Sequence, residues 1–231
     1  MTTLLLRLRG PLQSWGSESR YTTRETQRAP TKSGVLGLLA AAQGRRRSDS
    51  LEDLAALSFG VRIDQPGSLL RDFQTAIDWR NGSSQPLSSR HYLSDARFVA
   101  AVSGDPDFLD VLEAALRAPR FPLYLGRRSC PANPDILIGR HPGGVEEALH
   151  SVPWQASRSH RKTRARVVHL PVLRDAAAGE DGDAHRDVPV SYDPTHRRYD
   201  WRTVVSGDAV ELDNPDSSES ADPFFEAVQA T

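Results

Sequence analysis

The order of strand-like and helix-like segments constrains the fold of this chain more than any other feature of its sequence. Alternating apolar residues predict strands over residues 2–9 and 59–63, and residues 91–102 have the same character. Helical spacing predicts one helix over residues 31–43, after the first strand, and another over residues 106–117, after the third. This order is typical of the split βαββαβ unit. We therefore expect an α+β fold of the ferredoxin-like or RRM-like kind.

Both predicted helices have residues suited to their ends. Thr31 is a good N-cap, and Gly44 can adopt the left-handed conformation that ends a helix. Pro106 suits the first turn of the second helix, and Pro119 prevents its continuation. Residues 79–89, which contain Asn81-Gly82 and few apolar side chains, predict a projecting hairpin tip.

The chain beyond residue 140 has a different character. We expect one domain over residues 1–140 and a smaller, β-rich C-terminal subdomain over residues 141–231, with a strand at 167–173 and a hairpin formed by 188–192 and 199–205. Residues 176–185 and 214–231 are acidic and poor in apolar side chains. Such composition predicts disorder in both segments.

Charge is distributed unevenly although the formal net charge is only -1. Residues 1–170 carry 24 basic and 16 acidic side chains, a net of +8, whereas residues 171–231 carry 5 and 14, a net of -9. This asymmetry indicates a body that binds a polyanion, followed by an acidic tail. A coding bias is the alternative explanation, because 27 of the 29 basic residues are arginines.

Several function classes receive no support from the sequence. The longest apolar stretch, residues 35–42, is too short to span a bilayer, and the first residues lack a signal-like apolar core, so we expect a cytoplasmic protein with no membrane partner. The lone Cys130 cannot form an internal disulfide. Zinc-ligand spacings, a Walker A loop and a nucleophile elbow are all missing, so we expect no metal, no cofactor and no catalytic residue.

Three short segments have the chemistry to hold RNA. The turn at residues 10–16 offers backbone N–H groups, the Gln13 amide and the Trp15 indole, unless it is simply a tight turn anchored in the core. The helix start at residues 31–34 offers free amides beside Lys32, although a solvated, capped helix explains it equally well. Residues 127 and 128 are adjacent arginines whose planar guanidinium groups suit phosphate or an unstacked base.

The densest basic run covers residues 158–166, with Arg158, Arg161, Lys162, Arg164 and Arg166. Such a run can follow a sugar-phosphate backbone, but many similar runs are solvated loops. We therefore treat it as support for polyanion binding and do not assign a site to it.

Five separated blocks together resemble the CasD family. They are residues 10–16 (GPLQSWG), 30–44, 71–75 (RDFQT), 92–96 (YLSDA) and 124–131 (YLGRRSCP). Each block is weak alone, but their order and spacing across residues 3–140 make the resemblance specific. The chain is therefore identified as similar to a subunit of the type I-E CRISPR Cascade complex.

The resemblance implies an RRM-like domain with a projecting β-hairpin thumb at about residues 72–92 and recognition of the 5′ handle of the guide RNA. It also implies contacts with the CasC backbone and CasA large subunits, and an indirect relation to target DNA through the guide. The strand at 97–102 lacks the aromatic RNP signature, which favours recognition through loops and helix ends, and the C-terminal third lies outside the five blocks. Motifs and resemblance together assign RNA binding to Gln13, Trp15, Gly16, Thr31, Lys32, Ser33, Gly34, Arg71, Arg90, Tyr92, Arg127 and Arg128.

Two other functions remain open from the sequence. The first is a metal-independent endoribonuclease that processes CRISPR repeat RNA, in which His91, Tyr92 and Lys32 are the residues to suspect. The second is a protein-assembly adaptor whose basic charge is incidental. The expected function is the non-catalytic RNA-binding subunit.

Overall fold

A computed structural model describes residues 1–16 and 23–218 of the chain. It shows a mixed α+β fold with more strand than helix. The strands are β1 (Thr2–Arg9), β2 (Leu12–Gln13), β3 (Thr23–Arg24), β4 (Ser58–Gln65), β5 (Ser68–Gln74), β6 (Ser88–Ser94), β7 (Arg97–Gly104), β8 (Leu137–Pro142), β9 (Val167–Asp175), β10 (Asp183–Ser191) and β11 (Arg198–Asp213). The helices are α1 (Lys32–Gln43), α2 (Glu52–Ala55), α3 (Pro106–Arg117), α4 (Val145–Ser151) and α5 (Arg158–Lys162).

Seven of the strands form one sheet in the order β10-β11-β9-β4-β7-β1-β8. Every neighbouring pair in it is antiparallel. Strand β7 lies between β4 and β1, so α1 connects two strands that are separated by β7, and α3 connects two that are separated by β1. The β4–β9 pairing continues this sheet across residue 140, where the sequence predicted a domain boundary.

The sheet is covered on both faces. Residues Leu4, Leu6 and Leu8 of β1 pack with α1 and α3 in the larger buried cluster, and Leu5 packs with α4 in the smaller one. Successive side chains of a strand point to opposite faces, which explains this division. The alternation of leucines in β1 therefore reflects two different packing partners.

The predicted helix ends of α1 are confirmed. The Thr31 hydroxyl accepts a hydrogen bond from the Gly34 amide, and Gly44 ends the helix with φ of 81°. At α3, the Asp105 carboxylate accepts from the backbone amides of Asp107 and Phe108, and Pro106 lies in the first turn. Local chemistry alone was sufficient to set these boundaries.

The single strand predicted over residues 91–102 is wrong. The chain bends at Asp95, which has φ of 51°, so β6 joins β2, β3 and β5 in a second sheet while β7 enters the main one. The bend is held because the Asp95 amide donates to the Pro11 carbonyl at 3.1 Å, and the Gln65 side chain donates to the Asp95 carbonyl at 2.6 Å. Both partners are distant in sequence, so no local pattern reveals the break.

Residues 176–185 differ from the disorder expected from their composition. They form a turn that leads into β10, and the Glu180 carboxylate accepts two hydrogen bonds from the Arg174 guanidinium and one from the Ala177 amide. These bonds lower the pKa of Glu180 to about 2. Of the second segment expected to be disordered, residues 214–218 are described and residues 219–231 lie outside the described residues. No helix in the described ranges is long and apolar enough to cross a membrane.

Candidate nucleic-acid interface

A β-hairpin formed by β5 and β6 extends from the edge of the second sheet. Its strands pair in register from Ser68 with Ser94 to Gln74 with Ser88. The guanidinium of Arg71 lies 4.6 Å from the Phe73 ring centroid, and that of Arg80 lies 5.5 Å from the Trp79 ring. The hairpin exposes large apolar side chains, namely Leu69, Leu70, Phe73, Ile77, Trp79 and Leu87. Aromatic rings with a neighbouring arginine suit the stacking of unpaired bases.

In the turn at residues 10–16, the two side chains predicted to face RNA are fully buried. The Gln13 amide donates to the carbonyls of Leu8 at 3.1 Å and Ala96 at 2.7 Å, and its oxygen accepts from the Trp15 indole at 3.1 Å. Gly16 is exposed. Gln13 and Trp15 therefore fix the path of the turn, and its exposed residues are Pro11 and Gly16.

The start of α1 already holds an anion from the same chain. The Asp187 carboxylate accepts from the Lys32 backbone amide at 2.7 Å, and the Lys32 ammonium pairs with Asp175 at 3.0 Å. Thr31 caps the helix, and the close approach of Trp15 to Gly34 leaves no room there for a side chain. The helix terminus attracts an anion as its dipole predicts, but that anion is a protein carboxylate.

Arg202 of β11 completes this buried charge cluster. Its guanidinium donates to Asp187 at 2.6 Å and to Asp175 at 2.6 Å. Although burial opposes the charge, these carboxylates raise the pKa of Arg202 above its ordinary value. Ser33 also faces inward through its carbonyl, which accepts a hydrogen bond from the Tyr192 hydroxyl. Sequence reasoning missed this cluster because its members come from four separated segments, and an acidic residue at a strand end was the only available signal.

The two adjacent arginines at 127 and 128 have different environments. The Arg127 guanidinium donates to the carbonyls of His91 at 3.1 Å and Arg24 at 2.8 Å and lies 5.0 Å from the Tyr92 ring. It therefore holds β3 against β6. Arg128 is exposed, and its side chain makes no hydrogen bond or ion pair within the described ranges. Its guanidinium is available to a ligand.

The loop that carries Arg128 is fixed against the turn at residues 10–16. Gly126 has φ of 86°, and a Cβ at this position would clash with the Ser14 carbonyl oxygen. The Ser14 amide donates to the Leu125 carbonyl at 3.1 Å, and the Cys130 amide donates to the Arg127 carbonyl at 2.9 Å. A short loop with several such bonds presents the guanidinium from a defined position.

The remaining predicted residues lie on β5 and β6. The Arg71 guanidinium donates to the Ser89 hydroxyl at 2.7 Å, and the Arg90 Nε is buried without an acceptor among the described residues. Tyr92 is buried, and its hydroxyl lies 3.3 Å from the Ser129 hydroxyl. Arg71 and Arg128 are thus exposed and retain donors for phosphate. Arg90 lies on the face of the hairpin opposite to Arg71, because Arg71 pairs with His91 and successive residues of β6 alternate. Tyr92 supports the loop.

The residues suspected of catalysis do not form a common site. His91 and Tyr92 are successive residues of β6, so their side chains point to opposite faces of the sheet. Lys32 is paired with Asp175 on another element. Within the part of the chain that the structure describes, no group of three or more His, Cys, Asp or Glu side chains is arranged to hold a metal. Burial raises the pKa of the Cys130 thiol, which disfavours a reactive thiolate.

A family model described as CRISPR-associated protein (Cas_Cas5) matches residues 3–205. The chain belongs to the Cas_Cas5 family. The match extends beyond the five blocks, through β9 and β10 into β11, and so covers part of the C-terminal third.

Individual proteins that are similar to this chain agree with this assignment. The Cascade subunit CasD of Escherichia coli (strain K12) is 39% identical over 156 residues, which cover 59% of this chain and 70% of that protein. A chain in a solved structure described as a CRISPR RNA-guided surveillance complex is 30% identical with a TM-score of 0.76, and the match covers 99% of this chain and 98% of that one. Another solved structure, described as a crystal structure of a Cas protein, is 36% identical with a TM-score of 0.66, covering 94% and 98%.

Proposed function

We propose that this chain is a non-catalytic RNA-binding subunit of a type I-E CRISPR Cascade complex in antiviral defence, where it holds the 5′ handle of the guide RNA and caps the backbone. Membership of the Cas_Cas5 family supports this role. So does the likeness to a protein named as a Cascade subunit and to a chain of an RNA-guided surveillance complex. The partners that we infer are the guide RNA, the CasC and CasA subunits and, through the guide, target DNA.

The observation that carries the proposal is the exposed Arg128 on a loop fixed between the turn at residues 10–16 and the β5–β6 hairpin. An exposed guanidinium on a loop with a fixed backbone can form charge-assisted hydrogen bonds with phosphate oxygens. Arg71 and Arg90 add one basic side chain to each face of the hairpin. The other predicted residues act by positioning: Gln13 and Trp15 shape the turn, Arg127 clamps β3 to β6, and Lys32 anchors α1.

We also propose that the core is ferredoxin-like or RRM-like with the β5–β6 hairpin as its thumb. The order β4-β7-β1-β8, antiparallel throughout and with α1 and α3 on one face, supports this. The exposed aromatic and aliphatic side chains of the hairpin fit contact with unstacked guide bases and a neighbouring subunit. A cytoplasmic location follows from the proposed complex, and β9, β10 and β11 extend the same sheet beyond residue 140.

The repeat-processing endoribonuclease is the less favoured function, because His91 and Tyr92 point to opposite faces of β6. A gel experiment separates the two functions. We expect full-length protein mixed with 5′-labelled repeat RNA or mature guide RNA, without metal, to retard the RNA on a native gel and to leave it intact on a denaturing gel. A discrete cut within the repeat that is blocked by a 2′-deoxy substitution would contradict the proposal.

The variant Arg128→Gln tests the residue on which the proposal depends. For single strands each phosphate contact contributes about 0.7 to the slope of log K against log salt concentration, so we expect the slope for handle RNA to fall by about 0.7. Arg47→Gln is the matched control, because Arg47 is an exposed arginine near the end of α1. Equal slopes for the two variants would refute the role of Arg128.

A further inference from the structure

A second concentration of basic side chains lies around α5. Strand β1 contributes one arginine at its C-terminal end, β7 contributes one at its N-terminal end, and α5 with the turn after it contributes five basic residues. We call this set the α5 basic surface, and its members are Arg9, Arg97, Arg158, Arg161, Lys162, Arg164 and Arg166. The proposed contacts with the 5′ handle use none of them.

The α5 basic surface belongs to the face of the main sheet that α4 covers. Leu5 of β1 packs against α4, and Arg9 lies on the same side of the strand because it is separated from Leu5 by an even number of residues. The Ser157 amide donates to the Gln65 side-chain oxygen at 3.0 Å, which fixes the start of α5 against the end of β4. The basic run is therefore a held turn and not a free loop.

The Arg128 loop, by contrast, is joined to the opposite face. Leu125 and Cys130, which flank the loop, are buried in the cluster that contains α1 and α3. A single extended phosphate contact on one face cannot include both regions. The two groups of basic side chains are therefore attached to opposite faces of the main sheet.

Positive charge at the α5 basic surface exceeds the nearby carboxylate charge. Asp135 pairs with Arg9 at 3.4 Å, and Asp216 pairs with Arg161 at 3.2 Å. Asp95 also faces Arg97, but its carboxylate accepts a hydrogen bond from Gln65. Three carboxylates thus face seven basic groups, and in the described ranges the side chains at 162, 164 and 166 have no carboxylate partner.

Burial also affects two groups in this region. It lowers the pKa of Arg97, an effect that Asp95 and Asp135 oppose and that Arg9 and Arg161 reinforce. Burial and the neighbouring Arg164 lower the pKa of His160. Arg97 Nε is buried without an acceptor among the described residues. An anion beside it would supply the missing acceptor and reduce the repulsion among the neighbouring cations.

We propose that the α5 basic surface is a second nucleic-acid-binding surface, which holds the sugar-phosphate backbone of a strand other than the handle without reading its sequence. The chemistry is that of phosphodiesters, because the surface offers guanidinium and ammonium donors. The aromatic ring of Trp154, which contacts His160 of α5, is partly buried and its indole donates to the Asp64 carbonyl, so it is unavailable for base stacking.

The test uses 12-nucleotide oligothymidylate and oligouridylate, neither of which contains a handle sequence. The surface variant combines Lys162→Gln, Arg164→Gln and Arg166→Gln, which are exposed side chains. The control variant combines Arg46→Gln, Arg47→Gln and Arg117→Gln, three exposed positions near the ends of α1 and α3, so both variants lose the same formal charge. Full-length proteins are titrated at several salt concentrations, and their thermal unfolding midpoints verify that both variants fold.

Loss of three phosphate contacts at about 0.7 each is expected to reduce the slope of log K against log salt concentration by about 2. If both proteins reach the same affinity at 1 M salt, this difference corresponds to about 100-fold weaker binding at 0.1 M. If the slope is reduced with only one of the two oligonucleotides, the surface prefers the sugar of that one, deoxyribose or ribose. Equal slopes for the surface and control variants with both oligonucleotides overturn the proposal.

The handle function is measured separately in the same proteins. We expect the surface variant to keep its affinity for mature handle RNA while Arg128→Gln loses part of it. If the surface variant instead loses handle binding and Arg128→Gln does not, the two surfaces are not independent and the inference of a second one is wrong. If Arg128→Gln has no effect but the surface variant loses oligonucleotide binding, only the proposed handle contact fails.

Discussion

Replacing Arg62 with methionine should destabilise the protein strongly, although Arg62 touches no proposed ligand. Arg62 is fully buried in β4, and its guanidinium forms two bonds with the Asp64 carboxylate, at 2.7 and 2.9 Å. The other three N–H groups donate to carbonyls at the end of α4, those of Leu149 and Val152 at 2.6 Å each and that of Pro153 at 3.1 Å. All five donors are therefore satisfied, and the cation also faces the negative end of the helix.

Arg62→Met leaves the buried Asp64 carboxylate with one remaining donor, the Gln155 amide, and leaves three carbonyls without this partner. Breaking a buried ion pair by removing one partner costs about 3 to 5 kcal/mol, so we expect a loss of about 4 kcal/mol in the free energy of unfolding. With a urea m-value of about 3 kcal/mol/M, the midpoint should fall by about 1.3 M. Equilibrium urea denaturation, monitored by circular dichroism, measures both the midpoint and the free energy of unfolding.

Two further variants separate the cost of the unpaired Asp64 charge from the general cost of replacing an ion-paired arginine. Arg62→Met combined with Asp64→Asn removes the orphaned charge, so it should be more stable than Arg62→Met alone by more than about 1 kcal/mol. Arg117→Met is the matched control, because Arg117 forms an exposed pair with Glu113 worth at most about 1 kcal/mol. A loss of less than about 1 kcal/mol in Arg62→Met itself would refute the view that this network holds α4 on the sheet.

Two other predictions follow from close contacts. Gly126→Ala should lower the thermal unfolding midpoint and weaken handle RNA binding, because its Cβ would clash with the Ser14 carbonyl. Gly82→Ala is the control for the conformational cost of about 1 kcal/mol, because Gly82 also has a positive φ but has open space around it; equal effects of the two variants would contradict the clash. Burial raises the pKa of Tyr192, whose hydroxyl donates to the Ser33 carbonyl. The stability due to the neutral phenol is therefore present below pH 10 and lost progressively above it. The free energy of unfolding of the wild type should fall more steeply above pH 10 than that of Tyr192→Phe, and parallel curves for the two proteins would contradict this prediction.

Features of the fold that depend on neighbouring residues were predictable from the sequence. The limits of β1, α1 and α3 agree with the predicted ones, because alternation, the Thr31 cap and Gly44 act within one turn or strand. The break at Asp95 was not predictable, because Pro11 and Gln65 hold it from distant segments. The order of the turn at residues 176–185 was missed for a similar reason, since Glu180 pairs with Arg174 of the preceding strand.

The same distinction holds for the candidate site. The sequence by itself determined which residue types are available for phosphate and roughly where they occur: an arginine pair, a basic run and a polar hairpin. Only the tertiary structure decided which donors are free. It buries Gln13 and Trp15 in the turn and uses Arg127 as a clamp, and it leaves Arg128 exposed. The physical reason is that a donor binds a ligand only if no acceptor of the folded chain has already satisfied it, and those acceptors come from segments that only folding brings together.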